Sequence, residues 1–159
     1  AETATDLAYC NNVNPEKAYI AGLLHDCGKP YAGALEHAAK GADIARDYYG
    51  IDDEEILDAI RFHTVGNPGM SKLSQIVFLA DMIEPGRDKF PQLDSLRKLT
   101  YTDLNKATVK CIESTLDYLN KNGRKVDGKT MEVYNYYKNL YLSLEFCQKD
   151  PSKLSHNFC

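Results

Sequence analysis

Apolar residues recur at three- and four-residue intervals along almost the whole chain, and that period belongs to the α-helix. The one stretch with strand character is short, so an all-α fold is expected. Capping residues divide it into elements. Ala1 to Asn11 reads as a short Ala-rich helix, and Asn14 before Pro15, with Glu16 in the first turn, opens a second that runs into His25-Asp26 and breaks near Gly28 and Pro30. A third is expected from Ala32 to Tyr49, stopping at Gly50, and a fourth after Asp52-Asp53 to His63. Ser71 caps a fifth that ends at Met82, before Glu84-Pro85-Gly86-Arg87. Leu93 to Leu99, Asp103 to Asn122 and Lys129 to Phe146 complete the set. Tyr134, Tyr137 and Tyr141 in the last one form a helical stripe that reads as core.

A chain of 159 residues, 43% hydrophobic and 26% charged, is expected to form one domain with a real core. Its apolar runs, such as Ile76-Val77-Phe78-Leu79-Ala80, are far shorter than the roughly 18 residues of a membrane-spanning helix. Nineteen Lys and Arg against 23 Asp and Glu leave a net charge of −4 with no long basic block, which argues against a nucleic-acid partner. The five cysteines are odd in number and widely spaced, with no C-x-x-C pair. They fit neither a disulfide scaffold nor a thiolate zinc site, and a reducing cytoplasm is the expected location.

Three of the four histidines fall at the ends or starts of expected helices. His25, His37 and His63, with Asp26 and Asp81, give one contribution per helix, which is how a helical bundle builds a metal site in its core. Neutral imidazoles and carboxylates are the donor set of a hard-to-borderline divalent cation, and a carboxylate next to a histidine ligand is able to bridge two ions. Asp26 follows the apolar run Ala21-Gly22-Leu23-Leu24 and Asp81 follows Val77-Phe78-Leu79-Ala80. Both carboxylates are therefore expected near the buried face, where an unpaired charge is expensive and a cation is an effective partner.

On these residues the chain resembles the HD-domain metal-dependent phosphohydrolases, with His25-Asp26-Cys27-Gly28-Lys29 similar to their H-D-x-x-K segment. More narrowly, Ala59-Ile60-Arg61-Phe62-His63-Thr64, Gly66-Asn67-Pro68-Gly69-Met70-Ser71 and Phe78 through Arg87 resemble the YqeK family. The resemblance implies an HD-domain bundle of about seven or eight helices and symmetrical hydrolysis of diadenosine tetraphosphate to two ADP. It also implies a centre of two divalent metals, iron first and manganese second. Asp26 would bridge the ions and be essential to catalysis, with His25 and Asp81 on one metal and His37 and His63 on the other. Lys29 would neutralise phosphate charge in catalysis and binding. Arg61 and Arg87, with Lys72 in reserve, would supply further positive charge, and Thr64, Gly66, Pro68 and Gly69 a loop whose backbone cradles phosphate or ribose.

Two departures carry expectations of their own. The link from Lys29 to His37 is shorter than in the family. The family also has a histidine ahead of the segment matching Ala1-Glu2-Thr3-Ala4, and the tail ending Lys153-Leu154-Ser155-His156-Asn157-Phe158-Cys159 resembles the segment that leads into it. His156 is therefore expected to supply that metal ligand, with residues 1–146 as the HD domain and 147–159 as a tail packing on the first helix. Other HD activities, a nucleotidase or a phosphodiesterase on another nucleotide, stay open here, as do a non-catalytic nucleotide- or metal-binding module and a homodimer.

Overall fold

The computed structural model describes residues 1–149. Its helices are α1 (Glu2–Cys10), α2 (Pro15–Leu24), α3 (His37–Asp47), α4 (Glu54–Arg61), α5 (Lys72–Ile83), α6 (Leu93–Thr100), α7 (Leu104–Lys121) and α8 (Gly128–Lys149). No strand occurs among the described residues, and no helix there is long and apolar enough to cross a membrane.

Four helix starts sit on the caps read from the sequence. Asn14 accepts hydrogen bonds from the amides of Glu16 and Lys17, Asp53 from Glu55 and Ile56, Ser71 from Ser74, and Asp103 from Lys106. Each such cap satisfies amides that the helix leaves orphaned and is worth about 1 kcal/mol. Asp53 also pairs with Lys17 at 2.8 Å, tying the start of α4 to α2.

The third helix departs from expectation, starting at His37 rather than Ala32. Residues between Asp26 and His37 form successive tight turns, with the Lys29 amide on the Asp26 carbonyl, Tyr31 on Gly28 and His37 on Gly33. Pro30 and Gly33 interrupt what apolar spacing suggested.

α5 organises the core. It packs against α1, α2, α4, α6 and α7, and every residue from Leu73 to Ala80 is buried. A helix buried on all sides, with Ser74 and Gln75 as the polar residues of that stretch, has to be surrounded in this way. Ile76 and Val77 carry a helix-propensity cost of roughly half a kcal/mol each. Full burial of Leu73, Ile76 and Leu79 outweighs it, at about 2 kcal/mol per side chain. Around this shaft α1 and α2 meet through small residues: a β-carbon on Gly22 would stand 3.2 Å from that of Ala4. α8 reaches the body through α7, with Tyr137 fully buried and Tyr134 and Tyr141 partly buried against the core, as the stripe implied.

Gly28 is where the fold is tightest. A β-carbon there would lie 2.1 Å from the His37 carbonyl oxygen and 2.6 Å from the Gly41 amide nitrogen. Only a residue without a side chain lets the turn after His25-Asp26 press against the first turn of α3. Gly28→Ala is expected to displace that turn and cost about 1–3 kcal/mol, read as a lower melting temperature. Gly86→Ala, with no atom within 4 Å of its β-carbon, is expected to leave the melting temperature near wild type.

Candidate metal centre

Five of the six expected ligands converge, delivered by four pieces of backbone. His25 and Asp26 follow α2, His37 opens α3, His63 follows α4, and Asp81 stands in the last turn of α5. His37 and His63 form the floor, with side chains 7% and 2% exposed, while His25, Asp26 and Asp81 line the mouth at 22%, 32% and 39%. His156 lies outside the described residues, as does the part of the expected tail from Asp150 on. The start of that tail belongs to α8, which continues to Lys149.

The three imidazoles are aimed by the same device. His25 Nδ1 donates to the Gly22 carbonyl at 2.9 Å, His37 Nδ1 to Ala34 at 2.9 Å, and His63 Nδ1 to Ile60 at 2.8 Å, each three residues upstream. A carbonyl oxygen only accepts, so Nδ1 carries the proton, and Nε2 of each neutral ring is left as a bare lone pair. Those lone pairs meet. His37 Nε2 and His63 Nε2 are 3.0 Å apart, and Asp26 Oδ1 lies 3.4 Å from both. The other Asp26 oxygen, Oδ2, is 3.2 Å from His25 Nε2, which in turn is 3.7 Å from Asp81 Oδ1. Asp26 thus stands between two donor sets, one per carboxylate oxygen.

This arrangement fits divalent cations. Two imidazole lone pairs at 3.0 Å cannot hydrogen-bond to each other, and the Thr64 hydroxyl, 3.2 and 3.1 Å from them, has one hydrogen to give. A cation resolves the conflict between the two acceptors. The three donor–donor distances, 3.0 and twice 3.4 Å, lie in the range of neighbouring ligands around one divalent ion with bonds of about 2.1 Å.

Electrostatics follow the same layout. Burial alone would depress His25, yet the neighbouring carboxylates of Asp81 and Asp26 outweigh it and leave its pKa raised. Burial, with the neighbouring His25 and His37, depresses His63. Asp81 is held below the ordinary carboxylate range by the adjacent His25 imidazole and by Arg87, against the effect of burial. Cys27, inside the H-D-C-G-K segment, has its thiol pushed up mainly by burial and donates to the Gly41 carbonyl at 3.3 Å, the behaviour of a packing residue.

The basic residues divide. Lys29 Nζ is 2.5 Å from Asp26 Oδ2 on a side chain 60% exposed, at the mouth of the cluster. Arg87 donates to the Asp81 carbonyl and, at 3.2 Å, to its carboxylate, so it first of all fixes a ligand. Arg61 is held by Asp58 one turn back on α4, and Lys72 Nζ reaches the Asn11 carbonyl. Thr64, expected to contribute backbone, instead lays its hydroxyl on two histidines. In the loop, the Gly66 amide already donates to Phe62, and both Gly66 (φ +82°) and Gly69 (φ +71°) adopt the left-handed backbone that favours glycine, against Val133 and Tyr136 of α8. Sequence reasoning missed Arg97, which donates to the carbonyls of Ile83 and Glu84 and anchors the end of α5 that carries Asp81. An exposed-looking Arg in a short helix gives no sequence signal for that role.

Comparison with known proteins agrees with this geometry. The HD domain family model matches residues 1–86, which contain all five clustered ligands. The chain belongs to the HD domain family, whose domain implies divalent metal binding. The symmetrical bis(5'-nucleosyl)-tetraphosphatase of Halalkalibacterium halodurans is 37% identical over 155 aligned residues, covering 84% of this chain and 82% of that one. The enzyme of the same name from Bacillus subtilis is also 37% identical, covering 84% and 83%. A crystal structure of a predicted HD superfamily hydrolase involved in NAD metabolism, from Clostridium acetobutylicum, superposes with a TM-score of 0.78 at 37% identity, over 87% of this chain and 84% of that one.

Protonated His25 competes with any cation for Nε2. Because its value is raised in the metal-free fold, the proton is held below that value and released above it, so cation affinity should climb as pH is taken up through it. Calorimetric titration with Mn²⁺ between about pH 6 and 8 reads this directly. Asp81→Asn removes the main support of the His25 proton, so the onset of binding should move to lower pH while affinity at the plateau falls.

Proposed function

We propose that this chain is a metal-dependent hydrolase that cleaves diadenosine tetraphosphate symmetrically to two ADP. The observation that carries the reading is the placement of Asp26, one oxygen toward His37 and His63 and the other toward His25. It occurs in a chain similar over four-fifths of both lengths to enzymes named for that reaction. His37, His63 and Asp26 would hold one cation, and His25, Asp26 and Asp81 the other. When bound, the pair supplies Lewis-acid activation of the attacking water and charge neutralisation at the phosphates. Iron is the proposed metal, with manganese second: the donors are nitrogen and oxygen without thiolate.

The chain's own residues account for orientation and charge. Arg87 and Arg97 hold the end of α5 so that the Asp81 carboxylate faces the cluster. Lys29, exposed and beside Asp26, is placed to turn its ammonium from the carboxylate to a phosphate oxygen. Once both Nε2 atoms are engaged, the Thr64 hydroxyl hydrogen is free for a substrate oxygen. Gly66, Pro68 and Gly69 are proposed to meet the phosphate chain or ribose through their backbone. Arg61 is proposed as a phosphate contact that exchanges Asp58 for substrate. His156 is proposed as a further ligand on the side of His25 and Asp81. A cavity of about 230 Å³ opens there, lined also by Ala1, Glu2 and Thr3 of the segment that such a histidine precedes in the family.

Elemental analysis of anaerobically purified protein should find about two irons per chain. Chromatography of the products should show ADP alone, whereas AMP with ATP, or no cleavage after metal loading, would overturn the reading. Asp26→Ala is expected to lose both metals while keeping the helical circular dichroism. His156→Ala should lose the metal on the His25 side and keep the other.

A further inference from the structure

The loop between α4 and α5 is moulded on α8, a helix that carries none of the five clustered ligands. Val133, Tyr136 and Tyr137 stand at i, i+3 and i+4, on one face of α8. They meet Gly66, Gly69 and Met70 in the same order and at the same intervals. A β-carbon on Gly66 would lie 3.1 Å from Val133 Cγ1, and one on Gly69 would lie 3.6 Å from the Tyr136 hydroxyl. Tyr137 continues the series: burial pushes its hydroxyl pKa up, and the Gln75 side chain and the Met70 backbone act against that shift. Val133 and Tyr137 are buried, whereas Tyr136 is 43% exposed.

This face supports a turn that belongs to the centre. The Gly66 amide donates to the Phe62 carbonyl at 2.9 Å, closing a turn whose inner residues include His63 and Thr64. His63 is aimed from within α4, by the Ile60 carbonyl, and the Thr64 hydroxyl lies 3.2 and 3.1 Å from Nε2 of His37 and His63. Val133 therefore packs under the base of the turn that delivers Thr64. Amides and a hydroxyl serve an anion best when their directions are fixed before it arrives. A loop with two glycines at positive φ has much conformational freedom to lose, and a rigid surface beneath it removes that freedom in advance. We propose that α8 is the backing of the loop that receives the substrate phosphates, with Val133 as the positioning residue for Thr64 and Gly66, and Tyr136 as that for Gly69. This rests on the reading above that Thr64 and the loop meet the phosphate chain.

Val133→Ala removes the support under Gly66. Val13→Ala is the same truncation at a partly buried residue between α1 and α2, and controls for lost packing. Amide hydrogen exchange at Gly66 is read in both variants, beside calorimetric titration of the Mn²⁺-loaded protein with inorganic tripolyphosphate and steady-state hydrolysis of diadenosine tetraphosphate. In Val133→Ala the Gly66 amide should exchange about ten-fold faster. Tripolyphosphate binding should weaken about five-fold, with KM rising in step and kcat changing less than two-fold. Val133→Thr, which keeps the shape, should restore exchange and binding, and Val13→Ala should move neither. Tyr136→Ala truncates a half-exposed side chain, leaves the core filled, and should weaken tripolyphosphate binding in the same sense. Gly66 exchange and tripolyphosphate binding unmoved in Val133→Ala, or moved equally in Val13→Ala, would overturn the proposal, as would no tripolyphosphate binding by the wild-type chain. Both effects present in Val133→Ala without any wild-type hydrolysis would sustain the backing role and sink the reaction. Intact hydrolysis with KM unmoved in Val133→Ala would do the reverse.

Discussion

Three hydrogen bonds from imidazole Nδ1 to a carbonyl three residues upstream decide what this molecule is able to do. Two of those carbonyls, Gly22 and Ile60, belong to the last turns of α2 and α4, where a helix runs out of amide donors for its own oxygens. The histidine ring donates to a carbonyl that the ending helix leaves short of donors, and the carbonyl fixes the tautomer. Local helix termination and ligand orientation are one event here, and the lone pairs that result are pointed at each other before any cation arrives.

That concentration of electron density needs a support able to withstand it. α5 supplies one, since its burial on all sides leaves it little freedom to tilt or slide. At its C-terminal end Arg87 and Arg97 take up the carboxylate and carbonyl oxygens that the helix leaves over. Cations at a helix C-terminus are favourable on their own account. In this molecule they also set the position of Asp81, which couples the packing of α6 to the geometry of the centre.

Much of this was legible in the residue order. Caps such as Asn14, Asp53, Ser71 and Asp103 announce themselves because their chemistry is local, and His25, Asp26, His37, His63 and Asp81 stand out because each ends or begins an apolar stretch. What was not legible depends on partners distant in sequence or on atoms every residue has. No pattern signals that Arg97 will reach the carbonyl of Ile83, or that the Thr64 hydroxyl rather than its backbone will face the histidines. The start of α3 was misplaced for a related reason. Ala32, Leu35 and Ala38 keep helical spacing, but Pro30, Gly33 and the contact of Gly28 with α3 prevail over it.

The Gly28 contact also separates what the chain conserves in space from what it is free to change in length. Because residue 28 touches the backbone of residues 37 and 41, the stretch between Gly28 and His37 is a loop closed at its base, and the ligands on either side are registered by that base. For such a loop the closure entropy grows only with the logarithm of its length, about 0.6 kcal/mol for each doubling. Segments of quite different size are therefore interchangeable at this point without a change in the distance from Asp26 to His37. Length is free to vary at the rim of the centre, while the Gly28 contact holds its floor.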